Sequence, residues 1–262
     1  MIKLPTISTY YGGKGSSGTY QKIINHVRPH DTLIIPFLGN CALTRQIQWP
    51  AQVIANDLDP YIIDQWREAQ LGPRLDLYNL PALDFLATVL KRPDLGRIVI
   101  YCDPPYPLDS RKSQELRYTH EMTDKDHEEF LLAVRFLRVD CLISTYPNQH
   151  YAEQLSHWNR TEFQSQTRQG MATEWLFYNY ARPEVLHDAR FAGNDYRERE
   201  YIKRKAARWV TKWKELKPHE RQHILQELIQ ETHPELLTMA TTATHDEAAR
   251  YGGTPPPVAL TR

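Results

Sequence analysis

The chain has 262 residues, 41% of them apolar, and it carries 32 basic and 32 acidic side chains. This length and composition predict one sizeable hydrophobic core with a small appendage. We find no apolar run of about 18 residues and no charged-then-apolar leader, so we expect no membrane span, no secretory signal and a cytoplasmic, monomeric protein. The three cysteines, Cys41, Cys102 and Cys141, form no CxxC pair and are expected to be reduced structural thiols.

Short apolar runs alternate with helical patterns through the first half, which predicts an α/β fold with a mainly parallel sheet. Four strands are predicted at Thr32–Ile35, Gln52–Ala55, Arg97–Tyr101 and Val139–Ser144. Helices are predicted over 18–27, 59–70, 81–91 and 124–137, the last with Asp124 as its N-cap. Two alternating runs, Thr161–Thr167 and Glu174–Tyr180, predict an antiparallel hairpin that closes the sheet.

The pattern becomes helical after Pro183. An apolar seam with steps of four and three residues predicts a helix that buries one face, formed by Ile202, Ala206, Trp209, Trp213 and Leu216. Pro218 ends this helix, and Arg221–Gln230 predicts a second amphipathic one. We therefore expect an α/β domain over 1–182, a helical extension over 183–240 and a disordered tail over 241–262.

Three candidate ligand-binding elements follow predicted strands, and ligands of open α/β sheets bind beyond the carboxyl ends of the strands. The turn "PFLGN" follows the first strand, and its Gly39 permits close approach of the backbone to a ligand. Asp57 follows the second strand, 18 positions after Gly39 (57 minus 39), which is near the usual spacing for an acid that binds ribose hydroxyls. The third element is "YCDPPY", at positions 101–106.

The "YCDPPY" corner favours one kind of chemistry. The ionised side chain of Asp103 and the backbone carbonyl of Pro104 accept hydrogen bonds only, so together they suit an amino group held by both hydrogens. The aromatic ring of Tyr106 offers a surface on which a planar base can stack. The sequence thus predicts an exocyclic amine of a heterocycle as substrate, while a plain loop corner stays open as the alternative.

Four features in order resemble the Dam-like, or alpha-group, adenine-N6 DNA methyltransferases, which use S-adenosylmethionine. They are "YYGGKGS" (10–16), "PFLGN" (36–40), "ND" (56–57) and "YCDPPY" (101–106). The segments "LISTYPNQHYAEQLSHW" and "TEWLFYNY" resemble later sheet segments of that family, so the likeness covers about residues 5–181. It implies a Rossmann-like methyltransferase sheet with a terminal antiparallel hairpin and a C-terminal helical extension.

The resemblance implies a role for each matching residue. It places S-adenosylmethionine against Tyr10, Lys14, Pro36, Phe37, Gly39, Asp57 and Asp103. It implies that Asp103 and the Pro104 carbonyl hold the N6 amine of an adenine flipped from duplex DNA, and that Tyr106 stacks on that adenine. This chemistry requires no metal, because the sulfonium supplies the driving force and the site supplies orientation and charge stabilisation.

The sequence departs from the family at the cofactor turn and in the approach to the catalytic motif. Ile35 stands where the family has an acid, and Asn40 and Cys41 replace small residues. Asp57 and Asp103 are only 46 positions apart (103 minus 57), enough for two helices and a strand. The recognition domain that the family usually inserts there is therefore absent or severely reduced.

Two basic segments are candidate nucleic-acid contacts in its place. The loop after the catalytic motif contributes Arg111, Lys112, Arg117 and Tyr118, and the basic helix contributes Lys203, Arg204, Arg208 and Lys212. Residues 197–217 hold nine Lys or Arg against three Glu, a local excess of six, which fits either phosphate binding or a solvated cationic face. We interpret His120 and His127 as ordinary surface or capping histidines.

The sequence leaves three hypotheses open. The first is DNA adenine-N6 methylation, in restriction-modification or another role, with a target sequence that no recognisable module specifies. The second is methylation of an RNA amino group, which the short interval before Asp103 favours. The third is a catalytically silent DNA-binding relative, which Ile35, Asn40 and Cys41 motivate.

Overall fold

The computed structural model describes residues 14, 18–69, 74–111, 115, 118–167 and 170–232. The strands are β1 (Thr32–Ile35), β2 (Gln52–Asn56), β3 (Leu75–Tyr78), β4 (Ile98–Cys102), β5 (Asp140–Thr145), β6 (Asn159–Thr167) and β7 (Gly170–Tyr178). The helices are α1 (Thr19–Ile24), α2 (Ala42–Gln46), α3 (Pro60–Glu68), α4 (Ala82–Val89), α5 (Asp124–Val134), α6 (Gln149–Gln154), α7 (Tyr196–Glu215) and α8 (Pro218–Thr232).

The seven strands form one sheet in the order β3-β2-β1-β4-β5-β7-β6. The first five strands in this order are mutually parallel, whereas β7 runs antiparallel to both β5 and β6. This mostly parallel α/β sheet confirms the predicted fold class, including the terminal antiparallel hairpin. β1 pairs with β2 on one side and with β4 on the other, so the strand order reverses there.

Buried side chains alternate between the two faces of the sheet because successive residues of a strand point to opposite sides. In β1, Leu33 and Ile35 face a core shared with α1, α2 and α3, while Ile34 faces the core shared with α4, α5 and α6. All three side chains are fully buried. A central strand covered by helices on both faces reads as a continuous apolar run, which is why these strands could be predicted from the sequence.

Two helices near the site have well-formed N-termini. Asp59 caps α3 by accepting a hydrogen bond from the Tyr61 amide at 2.9 Å, and Pro60 occupies the first turn. The cap of α5 is Thr123, which forms a capping box with Asp126, so the prediction of Asp124 as N-cap is wrong. The Thr123 hydroxyl accepts a hydrogen bond from the Asp126 amide, and the Asp126 carboxylate accepts one from the Thr123 amide, so the cap lies one position before Asp124.

The sequence missed β3, α2 and α6. β3 is a four-residue edge strand whose residues are all only half-buried, and it contains Asp76, so it lacks a recognisable apolar run. Helices α2 and α6 have five and six residues and are too short to show a helical period. The described residues between Asp57 and Asp103 hold α3, β3, α4 and β4, which is one strand more than the predicted two helices and a strand.

The described residues up to Ile202 form one compact unit, and those from Lys203 onward form a second. The prediction that the seam of α7 would be buried is wrong: none of its residues is buried, and Trp209 is 64% exposed. An amphipathic helix buries its apolar stripe only where another element covers it. Within the described ranges, no helix is long and apolar enough to cross a membrane. Residues 241–262, predicted to be disordered, lie outside the described residues.

Two buried histidines make the free energy of unfolding depend on pH. Burial lowers the pKa of His127 to about 4, and burial together with the neighbouring His187 ring, 3.9 Å away between centroids, lowers the pKa of His30 to about 4. The unfolded chain, with histidine pKa values near 6.5, binds more protons below that pH. The free energy of unfolding therefore has its full value above about pH 6.5, and each of the two histidines lowers it by about 2 kcal/mol by pH 5.

We expect His127→Gln to lessen this pH dependence, because glutamine has no proton to gain in the unfolded chain. Urea unfolding at pH 7.5 and pH 5 measures the difference, and the change between the two pH values is the readout, whatever the stability of the variant at pH 7.5. His150→Gln, at an exposed position, is the matched control and should leave the difference unchanged. An identical pH dependence in His127→Gln and wild type would contradict the assignment.

Candidate active site

The carboxyl ends of β1, β2 and β4 converge on one region beside the switch point. β1 leads into Pro36 and Phe37, β2 leads into Asp57, and β4 leads into Asp103. Because β1 is paired in parallel with both other strands, all three of these segments emerge at the same edge of the sheet. The fold therefore brings together the three elements that the sequence singled out.

The turn after β1 and the acid after β2 are bound directly to each other. Gly39 has a φ of 42°, a conformation that favours glycine, and its amide donates to Oδ2 of Asp57 at 2.7 Å. Oδ1 of the same carboxylate accepts the Asp59 amide at 2.9 Å, while the Trp66 indole donates to the Gly39 carbonyl at 2.8 Å. Burial raises the pKa of Asp57, and the two amide hydrogen bonds oppose that rise.

Asn56 ties three strand ends together just before Asp57. Its side-chain amide donates to the Pro36 carbonyl at 3.0 Å and to the Leu80 carbonyl at 2.9 Å, and its side-chain oxygen accepts the Leu80 amide at 2.9 Å. Leu80 follows β3, the strand that the sequence missed, so its place in the site was missed too. A single buried asparagine thereby fixes the shape of the site floor.

A cavity of about 400 Å³ opens between these strand ends, the start of α4 and the loop that precedes α5. Its volume is within the range of small-molecule sites. The lining includes the predicted residues Pro36, Phe37, Asp57, Asp103 and Tyr118, together with residues that were not predicted, among them Asn56, Leu80, Leu83, Met122 and Phe130. Gly39, Lys14 and Tyr106 are not among the lining residues, but each contacts one of them from behind.

The described residues that line this cavity are strongly acidic. Seven carboxylates contribute to it, from Asp57, Asp59, Asp84, Asp103, Glu121, Asp126 and Glu129, and no Lys or Arg is among them. His120, which is exposed as predicted for a surface histidine, also lines the cavity, and the phenol of Tyr118 is the other ionisable group of the lining. Such a lining favours a cationic ligand and opposes a polyphosphate.

Asp103 is part of a buried ionic cluster. Nζ of Lys14 lies 2.7 Å from Oδ1 of Asp103 and 3.5 Å from Oε2 of Glu174, and it also donates to the hydroxyl of Tyr106. The Tyr106 hydroxyl donates to Oε2 of Glu174 at 3.2 Å, and Ser165 donates to its Oε1 at 2.5 Å. With all groups ionised, one cation faces two carboxylates, so the cluster carries one net negative charge.

Opposite charges in this cluster counteract the effect of burial on Lys14 and Asp103. Burial alone would lower the pKa of Lys14, but the carboxylates of Asp103 and Glu174 outweigh burial and hold that pKa well above its usual range. Burial raises the pKa of Asp103, and the Lys14 ammonium opposes that rise. The lysine therefore keeps a hydrogen-bond acceptor charged at the edge of the cavity.

Tyr106 is enclosed in this conformation. It is 6% exposed, its ring packs edge-on against Tyr146 with centroids 4.5 Å apart, and Lys14 lies 4.8 Å from its centroid. Pro104 is also buried, whereas Pro105 lines the cavity. A base that stacks on Tyr106, as the resemblance implies, would have to displace some of these neighbouring side chains.

The loop after the catalytic corner is held by a buried ion pair. Arg111 and Glu121 interact through two hydrogen bonds, at 2.9 and 2.6 Å, and Nε of Arg111 donates to the Tyr106 carbonyl at 2.8 Å. The Arg111 side chain is only 6% exposed and its guanidinium lies 5.1 Å from the ring of Tyr118. The sequence predicts Arg111 as a nucleic-acid contact, but in this conformation it holds the loop and is not presented to phosphates.

The remaining predicted residues divide into three groups. Tyr10, Lys112 and Arg117 lie outside the described residues. Lys203, Arg204, Arg208 and Lys212 lie on α7 and are exposed. Tyr118 lines the cavity, and its burial raises the pKa of its phenol to about 12.

Glu174 is the main site residue that the sequence analysis missed. It lies in β7 in phase with Leu176 and Tyr178, so all three side chains point to the same buried face. An acidic residue at an inward position of an otherwise apolar strand is the signal that identifies it. Such a carboxylate is stable in the interior only with a partner, and Lys14 is that partner.

Comparison with known proteins adds a general fold and no family. No protein-family model and no curated protein sequence matches the chain. Three solved structures with a similar fold are the 23S rRNA methyltransferase ErmE, an S-adenosylmethionine-dependent methyltransferase from Agrobacterium tumefaciens, and the O-methyltransferase TomG from Streptomyces achromogenes, solved in complex with S-adenosylmethionine.

These three structures are distant from this chain. ErmE is 14% identical over 65% of this chain and 70% of its own, with a TM-score of 0.41. The Agrobacterium enzyme is 16% identical over 61% and 58%, with a TM-score of 0.40. TomG is 15% identical over 63% and 81%, with a TM-score of 0.41. Likeness at this level carries no argument about activity, so the chemistry of the site rests on this chain's own residues.

Replacing Lys14 with methionine should destabilise the protein by about 3 to 5 kcal/mol, because Asp103 and Glu174 would stay buried without their cation. Guanidinium unfolding at pH 7 measures this loss. The double variant Lys14→Met/Glu174→Gln should recover much of it, since only one of the two carboxylates remains. Lys125→Met removes an 81% exposed ammonium and should change the unfolding free energy by about 0.5 kcal/mol or less. Equal stability of Lys14→Met and wild type would exclude the proposed pairing.

Proposed function

We propose that this protein is an S-adenosylmethionine-dependent methyltransferase that acts on the N6 amine of adenine in DNA. One observation carries the proposal. The glycine turn with its acid and the Asp-Pro-Pro-Tyr corner meet at one cavity, although Asp57 and Asp103 are 46 positions apart in the sequence. The first pair is suited to the cofactor and the second to a planar amine. Their meeting supports a site in which the donor and the acceptor of the methyl group lie side by side.

The cavity fits this cofactor by its charge and by its chemistry. S-adenosylmethionine carries a sulfonium and an ammonium against one carboxylate, and the seven acids of the lining favour such a net cation. A dinucleotide with two phosphates is disfavoured by the same acids. Asp57 would hold the ribose hydroxyls, and Phe37, Leu83 and Phe130 offer an apolar wall for the adenine. When bound, the sulfonium supplies an activated methyl group.

Asp103 and Pro104 supply the acceptors for the amine that receives the methyl group. The lone pair of an aromatic amine is delocalised into its ring, and hydrogen bonds from both amine hydrogens favour the tetrahedral, nucleophilic form. Lys14 keeps Asp103 charged, so its carboxylate can accept one of these hydrogens and stabilise the positive charge that develops on nitrogen. The net negative charge of the cluster with Glu174 acts in the same direction.

The departures at the cofactor turn are accommodated, which weighs against a catalytically silent protein. Ile35 is fully buried in the core on the α1–α3 side of the sheet and not in the cavity lining, and Cys41 is buried at the start of α2. The hydrogen bond between Gly39 and Asp57 is present despite these replacements. Ile35 and Cys41 therefore leave the pairing of the glycine turn with its acid intact, which supports the predicted cofactor site.

RNA is the second candidate substrate. The described chain between Asp57 and Asp103 holds α3, β3, α4 and β4 and no additional recognition module for duplex DNA. Against RNA stands the "YYGGK" element, which resembles the DNA-directed group. The chemistry proposed for Asp103 is the same with either nucleic acid.

The cofactor is tested by thermal unfolding with increasing S-adenosylmethionine. We expect a rise in melting temperature equivalent to about 2.7 kcal/mol when the cofactor is at 100 times its dissociation constant. Asp57→Ala should reduce the rise strongly, whereas Asp64→Ala, at an exposed position on α3, should leave it intact. No rise at millimolar cofactor would remove the methyltransferase proposal.

The reaction is tested by transfer of labelled methyl groups to mixed-sequence duplex DNA and, in parallel, to structured RNA. Wild type should form N6-methyladenine in DNA, and Asp103→Ala should lose at least about 100-fold in rate because the amine loses its charged acceptor. Asp64→Ala again serves as the control for folding and handling. Near-full activity of Asp103→Ala would contradict the assigned role, and methylation of RNA alone would favour the second candidate.

A further inference from the structure

We infer that α7 is a sequence-independent anchor for the nucleic-acid backbone, acting in place of the missing recognition module. The inference rests on the proposed function in that it assumes a nucleic-acid substrate. It concerns a different part of the chain from the catalytic cavity, and it predicts binding in the absence of cofactor and reaction.

The charge of the chain is concentrated on this helix. α7 holds eight Lys or Arg and three Glu, a net charge of +5. Because the whole chain has 32 of each sign, the other residues have 24 basic and 29 acidic side chains and a net charge of −5. A neutral protein that separates charge in this way has a local field that attracts a polyanion.

Three basic side chains form a row along one side of α7. Arg204, Arg208 and Lys212 are spaced by four residues, so they occupy one side of the helix and follow each other at about 6 Å. All three are exposed. A row of this kind can contact consecutive phosphates along one strand without reading bases.

An aromatic ring borders this row. Trp209 is 64% exposed, and Nζ of Lys212 lies 5.6 Å from the centroid of its ring. A large flat ring among cations offers contact to sugars and unstacked bases in addition to charge. Contact with a nucleic acid gives a reason for a tryptophan on a helix with no buried residue, which packing within the protein does not explain.

Pairing of α7 with a second copy is the less favourable use of the same helix. The seam defined by Ile202, Ala206, Trp209, Trp213 and Leu216 follows a heptad pattern, in which the flanking positions are Lys203, Lys205, Val210, Lys212 and Lys217. Four of these five flanking residues are lysines, so two copies side by side would place like charges opposite each other. The flanks that oppose self-association favour an anionic partner.

The test measures binding of a labelled mixed-sequence duplex to the full chain by fluorescence anisotropy, over a range of salt concentrations and without cofactor. The triple variant Arg204→Gln/Arg208→Gln/Lys212→Gln should lower the slope of log affinity against log salt by about 2 to 3, because each phosphate that is no longer neutralised removes about 0.9 from the slope. Scrambling the DNA sequence should change neither the affinity nor the slope.

The matched control removes three exposed charges from the first compact unit, as Lys91→Gln/Lys125→Gln/Arg138→Gln, and should leave the slope unchanged. Equal slopes for wild type and the α7 variant would overturn the inference. So would preferential binding of α7 to vesicles of phosphatidylcholine and phosphatidylserine without binding of duplex, or a change of oligomeric state in the α7 variant with its slope unchanged.

This outcome is separable from that of the proposed function. Asp103→Ala should bind duplex with the wild-type salt slope, because the Asp103 carboxylate takes no part in phosphate binding. If the wild type transfers no methyl group but its salt slope still differs from that of the α7 variant, the anchor is retained and the enzyme proposal is removed. Methyl transfer with no such difference would retain the enzyme and remove the anchor.

Discussion

The parallel pairing of β1 with both β2 and β4 is the constraint on which the site depends. It makes the chain leave three neighbouring strands at one edge of the sheet, so the Gly39 turn, Asp57 and Asp103 meet although the sequence separates them. Asn56 then locks the ends of β1, β2 and β3 through side-chain hydrogen bonds to backbone groups. The cavity is a consequence of strand order, and its chemistry follows from the residues that this order exposes.

Separation of charge gives the neutral chain two surfaces that carry charge of opposite sign. The described cavity lining has seven carboxylates and no Lys or Arg, whereas α7 has a net charge of +5. The acidic lining suits a cationic small molecule, and the basic helix suits a polyanion. A protein that binds a sulfonium cofactor and a nucleic acid needs both, and an overall charge of zero conceals them.

The buried cluster of Lys14, Asp103, Tyr106 and Glu174 links the catalytic corner to the antiparallel hairpin. Its ion pair joins residues that are 89 positions apart, and the contact to Glu174 reaches into β7. The hairpin at the end of the sheet therefore supports the Asp103 carboxylate as well as closing the core. This gives a physical reason for a carboxylate at position 174, where the strand pattern calls for an apolar residue.

The sequence by itself determined the elements whose signals are local: the apolar central strands, the hairpin, the longer helices, and the strand-end motifs around Gly39, Asp57 and Asp103. It did not reveal β3, because that strand is short and half-buried, or α2 and α6, because each has fewer than about two helical turns over which a pattern could repeat. Tertiary structure alone decided that Lys14 pairs with Asp103 and Glu174, that Arg111 turns inward to Glu121, and that the seam of α7 stays open. Ion pairs and burial depend on which distant segments meet, and a linear pattern does not carry that information.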